Sequence, residues 1–335
     1  MSKKTHKQSK TKHVDERDII LGLPDDVTLL EGVIVKALSG YYYVQPLNNR
    51  KSSSTVQCRA RGVFKMKKIN PLVGDYVSYY ETENNEGFIM DINPRHNELI
   101  RPQVANVDVA VLVFSVTEPT LNLQLLDKFI LHIEHAGIQP LLCLSKQDLS
   151  SDDNLDPSIR QEALQSIEAV KRIYTKLGYE VFGTSARAEE GLTDLHQALQ
   201  NKVAVFAGQS GVGKSSLLNA LVPGINLETN EISNRLGRGK HTTRHVELID
   251  IGGGYVADTP GFSQLDFNEL GISDLGYGFI EIRQHAVNCK FRGCTHVQEP
   301  SCAVREAVAN GEIEQSRYDH YILFLNEMNE QKRRY

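Results

Sequence analysis

A stretch of eight residues near the middle of the chain, Gly208 to Ser215, restricts the possible folds more than any other. It reads GQSGVGKS and lies between two apolar runs, at 203–207 and 217–221. Glycines in such a loop let successive backbone N–H groups turn toward phosphate oxygens, and a following helix directs its positive end at the same charge. Strand, glycine-rich loop and helix in this order predict a site for a nucleoside triphosphate. A turn with an incidental lysine is the alternative, which the flanking strand and helix disfavour.

Two polar side chains of this loop carry specific expectations. Lys214 is predicted to reach the β and γ phosphates as a catalytic residue, and Ser215 to hold Mg²⁺. The residues expected around the phosphates are Gly208, Gln209, Ser210, Gly211, Val212, Gly213, Lys214, Ser215 and Ser216.

The fragment SKQD at 145–148 narrows the choice of nucleotide. It ends an apolar strand, where the Asp148 carboxylate can accept hydrogen bonds from the ring N–H and exocyclic amine of guanine, a donor pair that adenine lacks. Lys146 is expected to lie along the base, after Ser145. At the end of the next strand, Ser185 and Ala186 are expected to offer a backbone N–H to the guanine oxygen. For so short a fragment an ordinary strand-to-helix turn is the alternative, and its coincidence with the phosphate loop disfavours it.

A second short fragment, DTPG at 258–261, also follows an apolar strand. The Asp258 carboxylate is expected to act on Mg²⁺ through water, while the Gly261 amide faces the γ phosphate. Asp148 and its strand precede the phosphate loop here, whereas most GTPases have the phosphate loop first. This order predicts a circularly permuted GTPase domain, which is feasible because the termini of a domain tend to lie close together.

The spacing of the predicted elements divides the 335 residues into a tail and three parts. Residues 1–27 are basic and almost free of apolar side chains, so a disordered tail is expected. Five short β-rich runs within 28–98 predict a small closed barrel of the OB type. Strands and helices alternate through 99–276, which indicates a parallel, doubly wound α/β sheet with helices on both faces. Residues 277–335 contain a cysteine cluster and one or two helices, broken near residue 310.

Charge and composition limit the possible partners. The net charge is −5, so contact with nucleic acid has to come from local basic patches. OB-type barrels bind nucleic acid through aromatic and basic groups, although tyrosines can equally be core residues. The groups of this kind in the barrel are Tyr41, Tyr42, Tyr43, Arg59, Arg61, Lys65, Lys67 and Lys68. No apolar run approaches the length of a membrane span and the N-terminus has no apolar signal core, so a cytoplasmic protein without membrane contact is expected.

Four potential metal ligands lie close together near the C-terminus. Cys289, Cys294, His296 and Cys302 follow the spacing C-x4-C-x-H-x5-C. Three thiolates and one imidazole suit tetrahedral Zn²⁺ in a closed structural site, and a filled shell argues against catalysis at the metal. A reduced cytoplasm argues against disulfides. We therefore predict one structural zinc per chain, which supplies folding energy that so small a segment lacks.

Together these features resemble the RsgA (YjeQ) family of GTPases that depend on the small ribosomal subunit. The resemblance extends from about residue 28 to the end of the chain, and includes GQSGVGKSSLLNAL at 208–221, GRGKHTTR at 237–244, DTPG and the cysteine cluster. It implies hydrolysis of GTP to GDP and phosphate, stimulated by the subunit, and a role in late maturation of that subunit through contact with its rRNA. We expect a monomer that uses Mg²⁺ with GTP and a structural zinc.

The resemblance also gives parts to the segment between the phosphate loop and DTPG. Thr242 or Thr243 is expected to add a hydroxyl ligand to Mg²⁺, with Thr242 slightly favoured by the resemblance, and Thr243 is also expected as a switch residue together with Gly261. Many GTPases place a water-positioning glutamine after DTPG, but Phe262 stands there and cannot hydrogen-bond through its side chain. His241 is therefore the candidate for that role, with a solvent-facing loop histidine as the alternative. Intrinsic hydrolysis is expected to be slow and to rise when a partner orders this loop.

One residue departs from the family pattern, and two other classes of function are alternatives. The family and its relatives usually carry Asn or Thr where this chain has Ser145, so the shorter hydroxyl is expected to support the base less firmly. The other classes are a non-catalytic RNA-binding protein whose affinity is tuned by nucleotide, and a P-loop ATPase or small-molecule kinase. Asp148 disfavours the second of these.

Overall fold

A computed structural model of the chain describes residues 28–49, 55–66, 68–82, 84, 86–99, 103–222, 246–262 and 271–334. The chain divides into two compact units. The first is built on a barrel, and the second on an α/β sheet with the helices that follow it. The predicted tail at 1–27 and the segment with His241, Thr242 and Thr243 lie outside the described residues.

Five strands form the barrel: β1 (Leu30–Leu38), β2 (Tyr41–Pro46), β3 (Val56–Ala60), β4 (Tyr76–Glu81) and β5 (Glu86–Ile92). Their order is β1-β2-β3-β5-β4, and β4 pairs back to β1, which closes the sheet. Val77 and Tyr79, two positions apart on β4, are both buried, as the alternation of side chains along a strand requires. The predicted closed barrel is thus confirmed, with a short helix, α1 (Gly62–Met66), after β3.

A short antiparallel pair, β6 (Glu98–Leu99) and β7 (Val104–Ala105), precedes the main sheet of the second unit. That sheet contains β8 (Val109–Ser115), β9 (Gln139–Ser145), β10 (Glu180–Gly183), β11 (Val203–Ala207), β12 (Glu247–Asp250) and β13 (Tyr255–Phe262), in the order β10-β9-β8-β11-β13-β12. β8 and β11 are buried at every position, which is typical of parallel strands covered on both faces.

One strand differs from the predicted parallel sheet. β12 pairs with β13 antiparallel, with Leu248 opposite Ala257. Only residues 251–254 connect the two strands, a length that permits a hairpin, whereas parallel neighbours need a crossover of about a dozen residues or more. The prediction of an all-parallel sheet was therefore wrong at β12, and the other pairings in the sheet are parallel.

Among the described residues, the helices that accompany the sheet are α2 (Leu123–His135), α3 (Pro157–Lys176), α4 (Leu192–Ala198) and α5 (Lys214–Leu221). Side-chain caps set two of their starts. The Asn122 side-chain oxygen Oδ1 accepts from the Leu125 N–H at 2.9 Å, and the Asp156 carboxylate accepts from the Ser158 N–H at 2.8 Å. Each cap satisfies a donor that the first helical turn leaves unpaired. Within the described ranges, no helix combines enough length with enough apolar character to cross a bilayer.

The C-terminal part is helical on both sides of the cysteine cluster. Its helices are α6 (Ile272–Gly278), α7 (Ile280–Ala286), α8 (Ala303–Ala309) and α9 (Gln315–Arg334). The predicted break near residue 310 is confirmed, whereas α6 and α7 had no sequence prediction. Leu131 of α2 belongs to the same buried core as Leu275 and Phe324. At Gly278 a Cβ atom would lie 2.2 Å from Cδ1 of Leu131, so a larger residue there would have to displace the end of the Leu131 side chain.

A buried arginine joins these helices by ion pairs. Arg317 on α9 is 2% exposed, and its Nε and Nη2 donate to the Glu281 carboxylate on α7 at 2.6 and 3.0 Å. Its Nη1 donates to Asp127 on α2, which also accepts from the Tyr174 hydroxyl and pairs with His320. Burial lowers the pKa of Arg317, but the two carboxylates more than offset this and hold the pKa above its usual range. The guanidinium therefore stays charged inside the protein.

Candidate nucleotide site and metal centre

The phosphate loop connects the end of β11 to the start of α5. Gly208 adopts φ 142°, and a Cβ atom there would lie 2.2 Å from the Val113 carbonyl oxygen, so no other residue fits this crossing next to β8. Gly211 and Gly213 also have positive φ, at 81° and 94°. These conformations favour glycine, which explains the residue type at these loop positions.

Lys214 lies inside the loop rather than in solvent. Its Nζ donates to the backbone carbonyls of Gly208 at 2.8 Å and Gln209 at 2.6 Å. Burial lowers the pKa of this ammonium group. Ser215 and Ser216 follow in the first turn of α5, both half-buried. The ammonium and the start of a helix therefore occupy one small region, an arrangement suited to phosphate.

The base-recognition fragments come together at the carboxyl ends of β9 and β10. These strands pair in parallel, so the residues that follow them lie at the same edge of the sheet. Asp148 lies in a 3₁₀ helix, Gln147–Ser151, and its Oδ1 accepts a hydrogen bond from the Ser185 hydroxyl at 2.6 Å. That contact fixes the direction of the carboxylate. The Ser185 N–H donates to the Glu190 carbonyl at 3.0 Å, so this amide is engaged, and Ala186 follows it half-buried.

Two hydrogen bonds connect this edge with the neighbouring loops. The Ser145 hydroxyl donates to the Val212 carbonyl of the phosphate loop at 2.6 Å. The Lys146 Nζ donates to the Glu118 carbonyl at 2.6 Å, and the Lys146 stem passes 3.9 Å from the Cβ position of Gly213. The SKQD and GQSGVGKS fragments, 60 or more residues apart in sequence, thus meet in space.

Glu118 had no sequence prediction because its contact is made by the backbone. A carbonyl acceptor is present at every residue, so residue type carries no signal of it. The position at the end of the loop after β8 was the only available indication, since the carboxyl edge of a parallel sheet is where ligands bind.

The DTPG fragment lies on β13, next to the phosphate loop strand. β13 pairs in parallel with β11, with Ala257 opposite Val205. Asp258 follows Ala257 midway along β13, and Phe262 at the end of β13 pairs with Ala207 at the end of the strand that leads into the loop. The side chains of residues 258–262 are not among those described, and neither are His241, Thr242 and Thr243.

The cysteine cluster forms a compact ligand set. The ligand atoms of Cys289, Cys294, His296 and Cys302 all lie within 4.8 Å of one another. His296 Nδ1 is 3.6 Å from Cys289 Sγ and 3.4 Å from Cys302 Sγ, and the two sulfurs are 3.9 Å apart. A tetrahedron with metal–sulfur bonds of about 2.3 Å has edges of about 3.8 Å, so the spacing fits tetrahedral Zn²⁺.

Burial shapes the chemistry of these ligands. It raises the pKa of the Cys294 thiol to about 12, so without a cation this cysteine stays protonated. It lowers the pKa of His296, which keeps the imidazole neutral and able to bind a metal. A bound cation would reverse the first effect, since metal coordination deprotonates a thiol. The chemistry of these residues, like their spacing, is thus compatible with a bound cation.

Backbone contacts hold the loop that carries the histidine ligand. The Tyr318 hydroxyl of α9 donates to the His296 carbonyl at 2.6 Å, and the Tyr321 hydroxyl donates to the Thr295 carbonyl at 3.0 Å. The Glu299 carboxylate accepts from the Thr295 N–H at 2.7 Å and from the Val297 N–H at 3.0 Å. Hydrogen bonds led by the Thr295 hydroxyl lower the pKa of Glu299 to about 2. The loop is thus anchored to α9 as well as to its own carboxylate.

Comparisons with known proteins agree over nearly the whole chain. The family model described as RsgA GTPase matches residues 92–268, and the model described as RsgA N-terminal domain matches residues 31–89. A protein of Bacillus subtilis (strain 168) named small ribosomal subunit biogenesis GTPase RsgA is 52% identical over 305 residues, which cover 91% of this chain and 99% of that protein.

Two solved structures resemble the chain along most of its length. YloQ, described as a circularly permuted GTPase, superposes with a TM-score of 0.77 at 44% identity, covering 91% of this chain and 96% of its own. YjeQ from Thermotoga maritima superposes with a TM-score of 0.77 at 34% identity, covering 90% of this chain and 98% of its own. The predicted circular permutation agrees with the first of these.

Proposed function

The chain belongs to the RsgA GTPase family, and from this we propose that it binds the small ribosomal subunit and hydrolyses GTP during the late maturation of that subunit. The observation that carries the proposal is the meeting of Asp148 and the phosphate loop at one edge of the sheet, through the Ser145 hydrogen bond to Val212. The Asp148 carboxylate could bind guanine and the loop could bind phosphates, so the two together suit one guanine nucleotide.

Guanine selection would be made by the Asp148 carboxylate. It accepts from the ring N–H and the exocyclic amine of guanine, and Ser185 keeps it turned toward one direction. With the Ser185 amide engaged by Glu190, the contact to the guanine oxygen falls to the amide of Ala186. Lys146 would cover the base with its stem while its ammonium stays on Glu118.

Phosphate binding would use the loop amides and the Lys214 ammonium, which then exchanges its carbonyl partners for phosphate oxygens. Ser215, Thr242 and Asp258 are the residues that would hold Mg²⁺. The ion supplies charge neutralisation of the phosphates when bound. Gly261 and Thr243 would respond to the γ phosphate as switch residues.

The chain has few groups that could orient the attacking water. Phe262 cannot orient water, so His241 is the proposed positioning group. Both it and its segment would need a partner to fix them at the nucleotide, because an unheld side chain gives little orientation. Turnover is therefore slow alone and rises on the subunit.

Two surfaces are proposed to contact rRNA. On the barrel, the Arg59 guanidinium lies 4.9 Å from the centre of the Tyr41 ring and donates to its hydroxyl at 2.6 Å, with the arginine exposed. Near the metal centre, Lys290 lies 5.7 Å from the centre of the exposed Phe291 ring. A cation beside an accessible aromatic ring suits a phosphate next to an unstacked base.

The remaining parts of the proposal concern metal, location and assembly. The Cys₃His cluster would hold one structural zinc per chain, which ties the loop at 289–302 together. We place the protein in the cytoplasm, where its ribosomal partner would be, and propose that it acts as a monomer without membrane contact.

The test is GTP turnover by the full chain with and without purified small subunits. Turnover is expected to rise strongly with subunits and to be lost in Ser215→Ala, because that variant lacks a hydroxyl for Mg²⁺. Unchanged turnover on adding subunits would contradict the ribosomal assignment. RNA binding without any turnover would favour a non-catalytic RNA-binding protein, and equal binding of ATP and GTP would favour an ATPase or kinase.

A further inference from the structure

Four side chains lie side by side across four strands of the barrel and form the outer row: Tyr41, Arg59, Phe88 and Tyr80. Strand pairing places Tyr41 of β2 opposite Arg59 of β3, and Arg59 in turn opposite Phe88 of β5. Phe88 lies opposite Tyr80 of β4. Because neighbouring strands lie about 4.8 Å apart, the outer row is about 14 Å long.

The outer row points away from the core of the barrel. Cys58 and Tyr79 each precede a member of the row in sequence, and both are fully buried. Successive side chains of a strand point to opposite faces, so Arg59 and Tyr80 point outward. Arg59 is exposed, and the three rings of the row are half-buried. The rings and the guanidinium are therefore accessible on one face of the sheet.

The members of the outer row are in contact in two pairs. In one pair the Arg59 guanidinium lies 4.9 Å from the centre of the Tyr41 ring and donates to its hydroxyl at 2.6 Å. In the other pair the Phe88 and Tyr80 rings stack, with centres 5.5 Å apart and planes inclined by 24°. These contacts restrict the side chains before any ligand binds, which lowers the entropy that binding would cost.

Aromatic rings beside an accessible cation suit single-stranded RNA. An unpaired base of any identity can stack on an aromatic ring, and the phosphate next to it needs a positive charge. The bases of a duplex stack on one another and leave no face for a protein ring. The exposed Glu86 carboxylate lies two positions before Phe88 on β5 and repels phosphate there, so the phosphate belongs on the Arg59 side.

We propose that the outer row is a binding site for single-stranded RNA: an unstacked base lies on the Phe88–Tyr80 pair, and the adjacent phosphate pairs with Arg59, which Tyr41 orients. The inference rests on the proposed function, because it names the form of RNA that the barrel would take from the subunit. It also assigns a role to Phe88 and Tyr80, which had no prediction from sequence.

The test compares two fluorescent oligomers of about ten nucleotides, a length within the site size of an OB fold. Oligouridine has bases, whereas an abasic chain of equal length has the same phosphates without bases. The full-length protein should bind oligouridine more tightly. Phe88→Leu keeps an apolar side chain but removes the ring, so it should weaken oligouridine binding about fivefold or more and leave the abasic chain unchanged. Phe88→Tyr keeps a ring and should keep the affinity.

Two further variants separate the base from the phosphate and from folding. Arg59→Gln should weaken both oligomers and reduce the slope of log affinity against log salt concentration by about 0.7, the contribution of one phosphate contact on a single strand. Tyr76→Ala is the matched control, because it removes another half-buried ring on the same face of β4. Tyr76 lies about 13 Å from Tyr80 along the strand. This variant should change the affinity of neither oligomer.

Several outcomes would overturn the inference. One is equal binding of both oligomers by the unmodified protein, and another is an equal loss of both in Phe88→Leu, as a merely structural role requires. A loss in Tyr76→Ala as large as that in Phe88→Leu would also contradict it. If small subunits do not raise GTP turnover of the unmodified protein, the proposed function fails instead, and the oligomer ratios still test the outer row.

Discussion

At the scale of single residues, the proposed preference for guanine depends on Asp148. Its carboxylate is aligned by Ser185 and offers only acceptors. In Asp148→Asn one acceptor becomes an NH₂ donor, which faces the donors of guanine. We expect GDP affinity to fall roughly 10- to 100-fold, since hydrogen bonds to a charged group are worth about 1.5–3 kcal/mol. Xanthosine diphosphate, whose base has a carbonyl in place of the amine, should bind the variant better than GDP does.

Nucleotide titrations of the two proteins check this prediction. Asp153→Asn is a matched control, because it removes the same charge five positions farther along the chain. The Asp153 side chain is 96% exposed. Its GDP affinity should not change. Retention of full guanine preference by Asp148→Asn would show that the base is read elsewhere.

Residue type explains which parts of the site were predictable from sequence. The roles proposed for Lys214, Asp148 and the metal ligands need particular functional groups. Residue type and spacing were therefore enough to predict them. The contacts of Ser145 with Val212 and of Lys146 with Glu118 end on backbone carbonyls, which every residue has. Only the folded chain shows which carbonyl is reached.

At the scale of elements, strand direction was the part of the fold that periodicity did not encode. An apolar run such as β12 has the same pattern whether its neighbour runs parallel or antiparallel. The four-residue connection at 251–254 did indicate an antiparallel pair, because it is too short for the crossover that parallel strands need. α6 and α7, of seven residues each, had no prediction either.

The buried charge cluster makes α9 sensitive to one substitution. Arg317→Met leaves Asp127 and Glu281 buried without their cation. Removing one partner of a buried ion pair costs about 3–5 kcal/mol, so the free energy of unfolding should fall by that amount. Arg172→Met is the control, because its pair with Glu314 is half exposed and such pairs contribute about 0–1 kcal/mol. Denaturant unfolding of both variants tests the difference, and equal losses would contradict it.

Removal of the proposed zinc is expected to cause a second, local loss of structure. The cysteine cluster packs against the same buried core as α8 and α9. Chelation of the metal, or Cys294→Ser, should therefore release the loop at 289–302 and expose it to protease, since structural zinc supplies folding energy to small segments. Cys143→Ala, at a buried cysteine far from the cluster in sequence, should keep about one zinc per chain. Metal analysis with limited proteolysis measures both, and anaerobically purified protein without metal would refute the assignment.

At the scale of the whole molecule, the permuted order links the nucleotide edge to the metal-binding part. β13, which carries DTPG, is followed after residues 263–270 by α6. α6 packs closely on α2 at Gly278, and α2 shares its buried ion pairs with α9. In the usual order the chain would enter further strands of the sheet after DTPG. Here the next described element after DTPG is a helix of the buried core against which the cysteine cluster packs.

The proposed stimulation of GTP hydrolysis requires the protein and the small subunit together. His241 lies outside the described residues, and Phe262 provides no substitute for orienting water. Without the subunit, His241→Ala should change the slow turnover little, because the proposed role of His241 depends on the subunit. With the subunit, the variant's turnover should fall about 100-fold or more, the usual contribution of a positioned acid–base group.

Single-turnover GTP hydrolysis with and without small subunits distinguishes the outcomes. His96→Ala is the control, since it replaces a histidine that is 53% exposed and pairs with Asp108. A variant at position 241 that is stimulated normally would mean that His241 is only a loop residue, and that the subunit itself positions the water. Loss of stimulation together with loss of subunit binding would instead assign His241 to the interface, so binding is measured by co-sedimentation in the same samples. The proposed role requires normal binding with a slow reaction, because a group that positions water acts on the chemical step.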